Sequence, residues 1–445
     1  MFFRDIVRFI DRNPSLLEDF PSNINFPLDR NSDSQITGTE DSDLLVGLWG
    51  NDSLLGLGSN DLIIGGANND TLDGGEGDDL LIGNSGEDIA AYSQTKTNYI
   101  FKGDSDRLEV IGASGRDTLI GIESVEFGDG VMAVDHLNFL PAPLYEDIEV
   151  IETTIPDTGD AIDIYLPEGE VTNLPVAIFL QGANVDKSNY STYAETVASY
   201  GFSVVVPNNL RTIDLPAPAP DITGYLAELP QINEDFDYLR TPESPIDDAI
   251  DPDTLVLLGH SFGGAAGLYA LQGTCDIPNC PFGEFDRPEE LAGGIFFGTD
   301  LKPSLGNNQP SPPVPLIDNN DLPTGLILGS NDGISFPEET LETYEQIQDP
   351  PKALISVDGT NHFGITNEND PLNPSTTPVE VPPITPEINP QEIPQPIAID
   401  TIATWSALFL RATVLDDTDA YDFVFGTGDE LDGNASVISE VSGDF

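Results

Sequence analysis

Two hydrophobic rhythms divide the chain. In the first, apolar residues recur every nine positions at Leu45, Leu54, Ile63, Leu72, Leu81 and Ala90. Each stands two residues after an aspartate (Asp43, Asp52, Asp61, Asp70, Asp79, Asp88), and each aspartate follows a glycine by five (Gly38, Gly47, Gly56, Gly65, Gly74, Gly83). The pattern predicts a polar turn followed by a very short strand with one inward residue. No such unit can bury its side chain alone, so neighbouring units must stack. Beyond the repeats, Tyr92 to Asp135 carries strand-like runs (Tyr99-Ile100-Phe101, Leu108-Glu109-Val110-Ile111). This stretch reads as a β cap over strand edges that would otherwise stay open.

The second rhythm begins near Leu144. Apolar runs such as Val176 to Leu180, Ser203 to Val206, Thr254 to Leu258, Gly294 to Phe297, Thr324 to Leu328 and Ala353 to Val357 predict strands. Helical segments fall between and after them, at Glu338 to Gln348 and at Ala398 to Val414, where Ile399, Ile402, Trp405, Phe409 and Leu410 recur on neighbouring turns. The fold class is therefore α/β. The proline-crowded stretch 370–396 can form neither helix nor central strand and should run extended over the surface, bordering a substrate cleft or as a solvated insertion. The expected organisation is an amino-terminal segment (1–35), the repeats (36–93), a cap and linker (94–140), the α/β domain (141–414) and an acidic tail (415–445).

Gly259-His260-Ser261-Phe262-Gly263 joins the run Thr254 to Leu258 to the small-residue helix Gly264 to Ala270. A strand-to-helix turn this sharp leaves no room for β-carbons at its glycines and lifts one hydroxyl above the sheet, where a nucleophile belongs. Serine needs a base, and histidine is the usual one. His260 lies inside the turn with its side chain directed away from Ser261, and His136 lies upstream of the α/β region, which leaves His362, in a loop after Ala353 to Val357. The orienting acid should follow a strand between serine and histidine. Asp332 fits, with Asp300, after Gly294 to Thr299, as its rival. The expected oxyanion donors are the backbone N–H groups of Phe262 and of Ala183, the latter after Val176 to Leu180.

From about Leu144 to Val414 these segments resemble an α/β-hydrolase, and within that class bacterial cutinases and poly(ethylene terephthalate) hydrolases, with dienelactone hydrolases close behind. The resemblance implies a mostly parallel sheet flanked by helices, Ser261 as nucleophile, His362 as base, Asp332 as its orienter, Ala183 and Phe262 as oxyanion donors, and carboxylic esters as substrates. Polyester hydrolases of this kind carry an aromatic residue where this chain has Ala183, and a tryptophan after the strand that here ends in Gly298-Thr299-Asp300, so the clamp on a polymer chain is missing. The repeats resemble the glycine-rich RTX nonapeptide, which coils into a parallel β-roll. That resemblance implies structural Ca²⁺ held by Asp43, Asp52, Asp61, Asp70, Asp79 and Asp88 together with turn carbonyls, an oxygen-only ligand set suited to a hard cation. The hydrolase resemblance implies no cofactor for catalysis.

Composition narrows the setting. With 15 basic against 78 acidic residues the formal net charge is −63, which disfavours nucleic acid and anionic membranes as partners. No stretch reads as a membrane span. Met1 to Arg12 has an amphipathic helical pattern with charges throughout, unlike a Sec signal peptide. The expected location is extracellular. RTX proteins typically leave by an ATP-driven channel that reads a carboxy-terminal signal, a role open here to the tail from Leu415 to Phe445. Cys275 and Cys280 form either a small disulfide or two free thiols. The competing functional class is a non-catalytic, calcium-dependent surface or matrix protein that uses the hydrolase fold as a scaffold.

Overall fold

The computed structural model describes residues 23–25, 33–103, 107–137, 139–213, 222–275, 280–302, 312–370 and 386–441. The expected amino-terminal helix (Met1 to Arg12) and most of the proline-rich stretch lie outside these residues. Two units are present, Met1–Ala142 and Pro143–Phe445.

In the first unit successive repeats alternate between two facing sheets. Asp43–Trp49, Leu62–Ala67 and Leu80–Ser85 lie side by side in one, and Gln35–Thr37, Ser53–Gly58, Thr71–Glu76 and Ile89–Ala91 in the other. All these neighbours are parallel. Leu45 pairs with Ile63 and Ile63 with Leu81, while Leu54 pairs with Leu72 and Leu72 with Ala90. One coil is thus two nonapeptides, and the inward residues stack into a fully buried ladder. The sequence predicts one inward residue per repeat. The first sheet also buries Val46, Ile64 and Ile82 on its other face.

The cap is a continuation of the roll after an interruption. A hairpin of Ile100–Gly103 and Arg107–Gly112 leads into Gly115–Ile120, which pairs parallel with Leu80–Ser85. Ser124–Phe127 then pairs parallel with Ile89–Ala91. Each sheet therefore gains one more strand in the roll's own register, and Tyr99, Phe101 and Phe127 close its core.

The second unit is built on a nine-stranded sheet. Its strands in chain order are β1 (Ile148–Thr154), β2 (Ala161–Pro167), β3 (Leu174–Leu180), β4 (Ser203–Asn208), β5 (Ile250–His260), β6 (Leu291–Phe297), β7 (Thr324–Gly329), β8 (Lys352–Val357) and β9 (Ala435–Glu440). The spatial order is β1-β2-β4-β3-β5-β6-β7-β8-β9. β3 through β8 run parallel, and β1, β2 and β9 are antiparallel additions. The central strands are buried along almost their whole length, as a sheet covered on both faces requires. The helices include α1 (Ser191–Ser199), α2 (Leu229–Leu239), α3 (Phe262–Gln272), α4 (Pro337–Gln346) and α5 (Gln395–Val414). Cys275 and Cys280 form a disulfide.

Two expectations need correction. The segment after Val414 is no separate tail, because β9 extends the sheet edge and the short helices before it pack on α5. Trp405 of α5 lies 4.7 Å from the Phe423 ring and donates its indole N–H to Asp432. This explains why α5 is buried on nearly every face. α5 is also long and apolar enough to cross a membrane by length and composition, contrary to the sequence reading. Its burial within the unit accounts for that composition without a bilayer.

Truncation after Val414 tests the first correction. Losing the cover over Trp405 and Phe409 should cost about 2 kcal/mol for each large side chain exposed. The shortened chain should melt well below the full one or aggregate, whereas an independent tail would leave the melting temperature unchanged.

Candidate functional site

The carboxyl ends of parallel strands are where α/β sheets gather loops from several strands. Four such loops carry the residues singled out in the second unit: Gln181 to Asn184 after β3, Ser261 after β5, Asp332 after β7 and His362 after β8.

Ser261 is held at φ 54° and ψ −119° between β5 and α3, a conformation costing about 1–3 kcal/mol in a residue with a β-carbon. Its surroundings fix it. The Ser261 N–H donates to the Phe297 carbonyl at 3.0 Å, and the Thr299 hydroxyl donates to the Ser261 carbonyl at 2.6 Å. A β-carbon on Gly263 would collide with the Leu180 carbonyl oxygen, so glycine lets α3 start directly against the end of β3.

The serine, histidine and aspartate converge. His362 Nε2 lies 2.9 Å from Ser261 Oγ and Nδ1 lies 2.8 Å from Asp332 Oδ2. Asp332 Oδ1 accepts the N–H groups of Ile334 and Ser335 at 2.9 and 2.8 Å, which fixes the carboxylate. Ser261 is partly exposed, while Asp332 and His362 are buried. With Nδ1–H donated to the carboxylate, the imidazole presents Nε2 to the hydroxyl as an acceptor. The rival Asp300 has one oxygen on the Lys302 N–H at 2.9 Å, and burial raises its pKa above the ordinary value. It lies near the pair and does not make the bond to His362.

The expected oxyanion donors occupy two of these loops. Phe262 is the first residue of α3, where an N–H has no partner within its own helix. Ala183 lies between Gly182, whose N–H donates to the Tyr190 hydroxyl at 3.0 Å, and Asn184, whose N–H donates to the Tyr225 carbonyl at 2.7 Å.

Two positioning features escape sequence reasoning. His260 faces away from Ser261 as expected, and it bridges two loops. Its Nδ1 lies 2.9 Å from the Tyr190 hydroxyl and its Nε2 lies 3.0 Å from the His362 carbonyl oxygen. The carbonyl requires a proton on Nε2, so Nδ1 accepts from Tyr190. Full burial, and then the neighbouring His362, hold the His260 pKa well below normal and keep it neutral, as that tautomer demands. The second feature is Glu387, whose carboxylate accepts the N–H groups of both Gly333 and His362. Nothing in the local sequence of either residue signals the contact.

In the roll, all six periodic aspartates are buried. One oxygen of each of the last five accepts the N–H eighteen residues earlier. The donors are Ser34 for Asp52, Asp43 for Asp61, Asp52 for Asp70, Asp61 for Asp79 and Asp70 for Asp88, at 2.7–2.8 Å. The other oxygen, Oδ2, has no hydrogen-bond partner in any of these five. Asp43 differs, since its Oδ2 takes the N–H and hydroxyl of Thr39 at 2.6 and 2.9 Å. The Oδ2 atoms of Asp52, Asp61 and Asp88 take up the space that a β-carbon on Gly47, Gly56 or Gly83 would need, beside the carbonyl oxygens of Gly65, Gly74 and Gly121 respectively. Among the described residues no three His, Cys, Asp or Glu side chains converge on one metal position. A cation here would take single carboxylate oxygens and turn carbonyls, a donor set that fits Ca²⁺.

The ladder continues past the periodic repeats. Asp117 accepts the Asp79 N–H at 3.0 Å and Glu123 accepts the Asp88 N–H at 2.6 Å, each in the place of the next aspartate. The second oxygen of Asp117 takes the Tyr92 hydroxyl at 2.8 Å, so a protein group fills the position that stays unpartnered below it. Burial pushes Asp61 and Asp70 up to about 7, and Asp79 and Asp88 up to about 6. These carboxylates sit where their charge is poorly solvated.

No curated protein matches the chain. A family description does match its amino-terminal part: the RTX calcium-binding nonapeptide repeat (4 copies), over residues 31–63 and 55–90. These residues coincide with the coils bearing the unpartnered carboxylate oxygens, and the amino-terminal repeats are RTX calcium-binding nonapeptide repeats.

Proposed function

We propose that the protein is a secreted, calcium-dependent serine hydrolase of carboxylic esters, with the second unit an α/β-hydrolase domain. The observation that carries this reading is the hydrogen-bonded sequence Ser261 Oγ, His362 Nε2, His362 Nδ1, Asp332 Oδ2, at 2.9 and 2.8 Å. The strand order, with the serine after β5, the aspartate after β7 and the histidine after β8, supports the same assignment.

In the proposed reaction Ser261 Oγ attacks the ester carbonyl while His362 Nε2 takes the hydroxyl proton, and the buried Asp332 holds the imidazole and stabilises its cation. The carbonyl oxygen gains the electron pair and is met by the N–H groups of Phe262 and Ala183. His362 returns its proton to the departing alcohol, leaving an acyl group on Ser261. Water, deprotonated by the same imidazole, then releases the acid. Phe336, at the start of α4, and Ile388, in the extended segment after Pro386, are exposed apolar side chains in the segments that carry Asp332 and Glu387.

Ca²⁺, when bound, supplies positive charge between coils. Asp52, Asp61, Asp70, Asp79 and Asp88 are the side chains that would hold it through Oδ2, and Asp43, whose Oδ2 takes Thr39, would offer its unpartnered Oδ1. Export through an ATP-driven channel accords with the RTX module and with an extracellular location, where calcium is abundant.

Ser261→Ala should lower kcat on a short-chain nitrophenyl ester by at least about 10⁴-fold with an unchanged melting temperature. An organophosphate should attach covalently at Ser261 in the wild type. Hydrolysis that survives the substitution would dismiss the mechanism, and a folded protein that takes no label would favour the scaffold reading.

Calcium dependence has a definite sign. Without the ion, Asp61, Asp70, Asp79 and Asp88 have folded pKa values of about 6 to 7 against an ordinary 3.8. The folded state then binds protons more tightly than the unfolded one, and the penalty is absent below 3.8 and complete above about 7. In chelator, the amino-terminal unit should lose stability as pH rises from 4 to 8, and millimolar calcium should restore it most strongly at pH 8. Identical melting with chelator and with calcium at pH 8 would exclude a structural role for the ion.

A further inference from the structure

The proline-rich stretch returns to the described residues at Pro386 and runs across the two loops that carry Asp332 and His362. Glu387 is 4 % exposed, and its hydrogen-bond partners among the described residues are all backbone donors. Its Oε2 accepts the N–H of Gly333 and the N–H of His362, both at 3.1 Å, and its Oε1 accepts the N–H of Asn389 at 2.7 Å. Gly333 follows Asp332 directly, and His362 is the proposed base. One carboxylate oxygen therefore joins the acid loop to the base loop within one residue of the imidazole–carboxylate pair. A β-carbon on Gly333 would collide with Glu387 Oε1, so the glycine admits this carboxylate.

The following residues keep the strap in place. Asn361 Nδ2 donates to the Asn389 carbonyl at 3.0 Å, the Glu392 N–H donates to the Gly359 carbonyl at 2.7 Å, and Gln395 Nε2 donates to the Phe363 carbonyl at 2.9 Å. A charged acceptor taking three N–H groups holds them more strongly than neutral bonds would. Removing it strands two buried amides beside the base.

We propose that Glu387 is a positioning residue of the hydrolytic site, and that the strap from Pro386 to Pro394 is a built part of that site. The proposal rests on the Ser261–His362–Asp332 reading. Glu387 acts through the backbone of Gly333 and His362, which sets the distance between the carboxylate and the imidazole, and through it the aim of Nε2 at Ser261. Misplacement of a reacting group by about 1 Å can cost about 100-fold in rate.

The test compares the full-length wild type with Glu387→Ala, Glu387→Gln and Ser261→Ala, on a nitrophenyl ester and with an organophosphate label. Glu387→Ala should lower kcat by about 10- to 100-fold and leave KM within about twofold, because the group does not touch substrate. It should slow labelling of Ser261 by a similar factor while every molecule is still labelled in the end. That stoichiometry separates a misaligned site from an unfolded fraction. Glu387→Gln keeps one oxygen for Gly333 and His362 and turns an amide toward the Asn389 N–H, so its kcat should lie between the two. It decides alone if the alanine variant does not fold. Wild-type kcat in a folded Glu387→Ala or in Glu387→Gln, or a loss in Glu387→Gln accounted for by unlabelled protein, overturns this proposal alone. Hydrolysis that survives Ser261→Ala overturns the triad reading and this proposal with it.

Discussion

The close approach of Gly263 to the Leu180 carbonyl sets the geometry of the second unit's site. It lets α3 begin against the end of β3 without an intervening side chain, so the strand-to-helix turn is short enough to hold Ser261 at a positive φ above the sheet. The same close approach sets Gln181, the first residue of the loop after β3, against the first turn of α3. Parallel pairing of β5 through β8 then supplies the partners, because loops leaving adjacent parallel strands at the same end emerge together. Strain at Ser261 persists because Phe297 and Thr299 fix its N–H and its carbonyl from β6.

Buried polar groups give the two units different characters. Around His362 every carboxylate that is drawn inward finds N–H donors: Asp332 takes those of Ile334 and Ser335, and Glu387 those of Gly333, His362 and Asn389. His260 contributes in the same way, as a neutral ring with both nitrogens used. Such a network resists rearrangement because breaking one bond strands a buried group. The roll satisfies only half of each carboxylate, leaving Oδ2 without a partner in five successive aspartates. At the top of the ladder Asp117 meets the Tyr92 hydroxyl instead, which ends the series of open positions.

Strand-end positions made Ser261, His362 and Asp332 legible in the sequence, since apolar runs mark the strands and only three histidines compete for the role of base. Choosing Asp332 over Asp300 follows the same logic, one strand further along the sheet. Contacts made by residues that do not stand at a strand end are not legible. Glu387 lies 25 residues from His362 and 54 from Gly333, in a segment whose proline content describes its backbone and says nothing of its side-chain partners. β9 was missed because Ala435–Glu440 is half polar, as an edge strand can be, and its pairing with β8 has no local signal. In the roll the nine-residue period exposed the first six aspartates, but the hairpin between Tyr92 and Gly115 breaks the period. Asp117 and Glu123 rejoin the ladder through space.

The acidity of the chain means different things in the two units. In the second, the few basic residues are drawn into specific pairs: Arg211 with Asp160 and Glu228, Lys187 with Asp163, Arg240 with Glu290, Lys302 with Glu342 and Arg411 with Asp417. Between Gly38 and Ala91 the repeats contain no lysine, arginine or histidine. Their six buried carboxylates therefore have no cationic side chain of their own segment to meet, and hydrogen bonds to N–H groups reach only half of their oxygens. A low-dielectric position that raises four of them to about 6 or 7 can be relieved by protons or by an external cation. At neutral pH protons are too scarce to neutralise the whole series, and a divalent ion meeting the Oδ2 atoms and turn carbonyls does so without rearranging the coils. With no lysine, arginine or histidine between Gly38 and Ala91, the charge that would meet these carboxylates has to come from outside the repeats, as it would from a bound Ca²⁺.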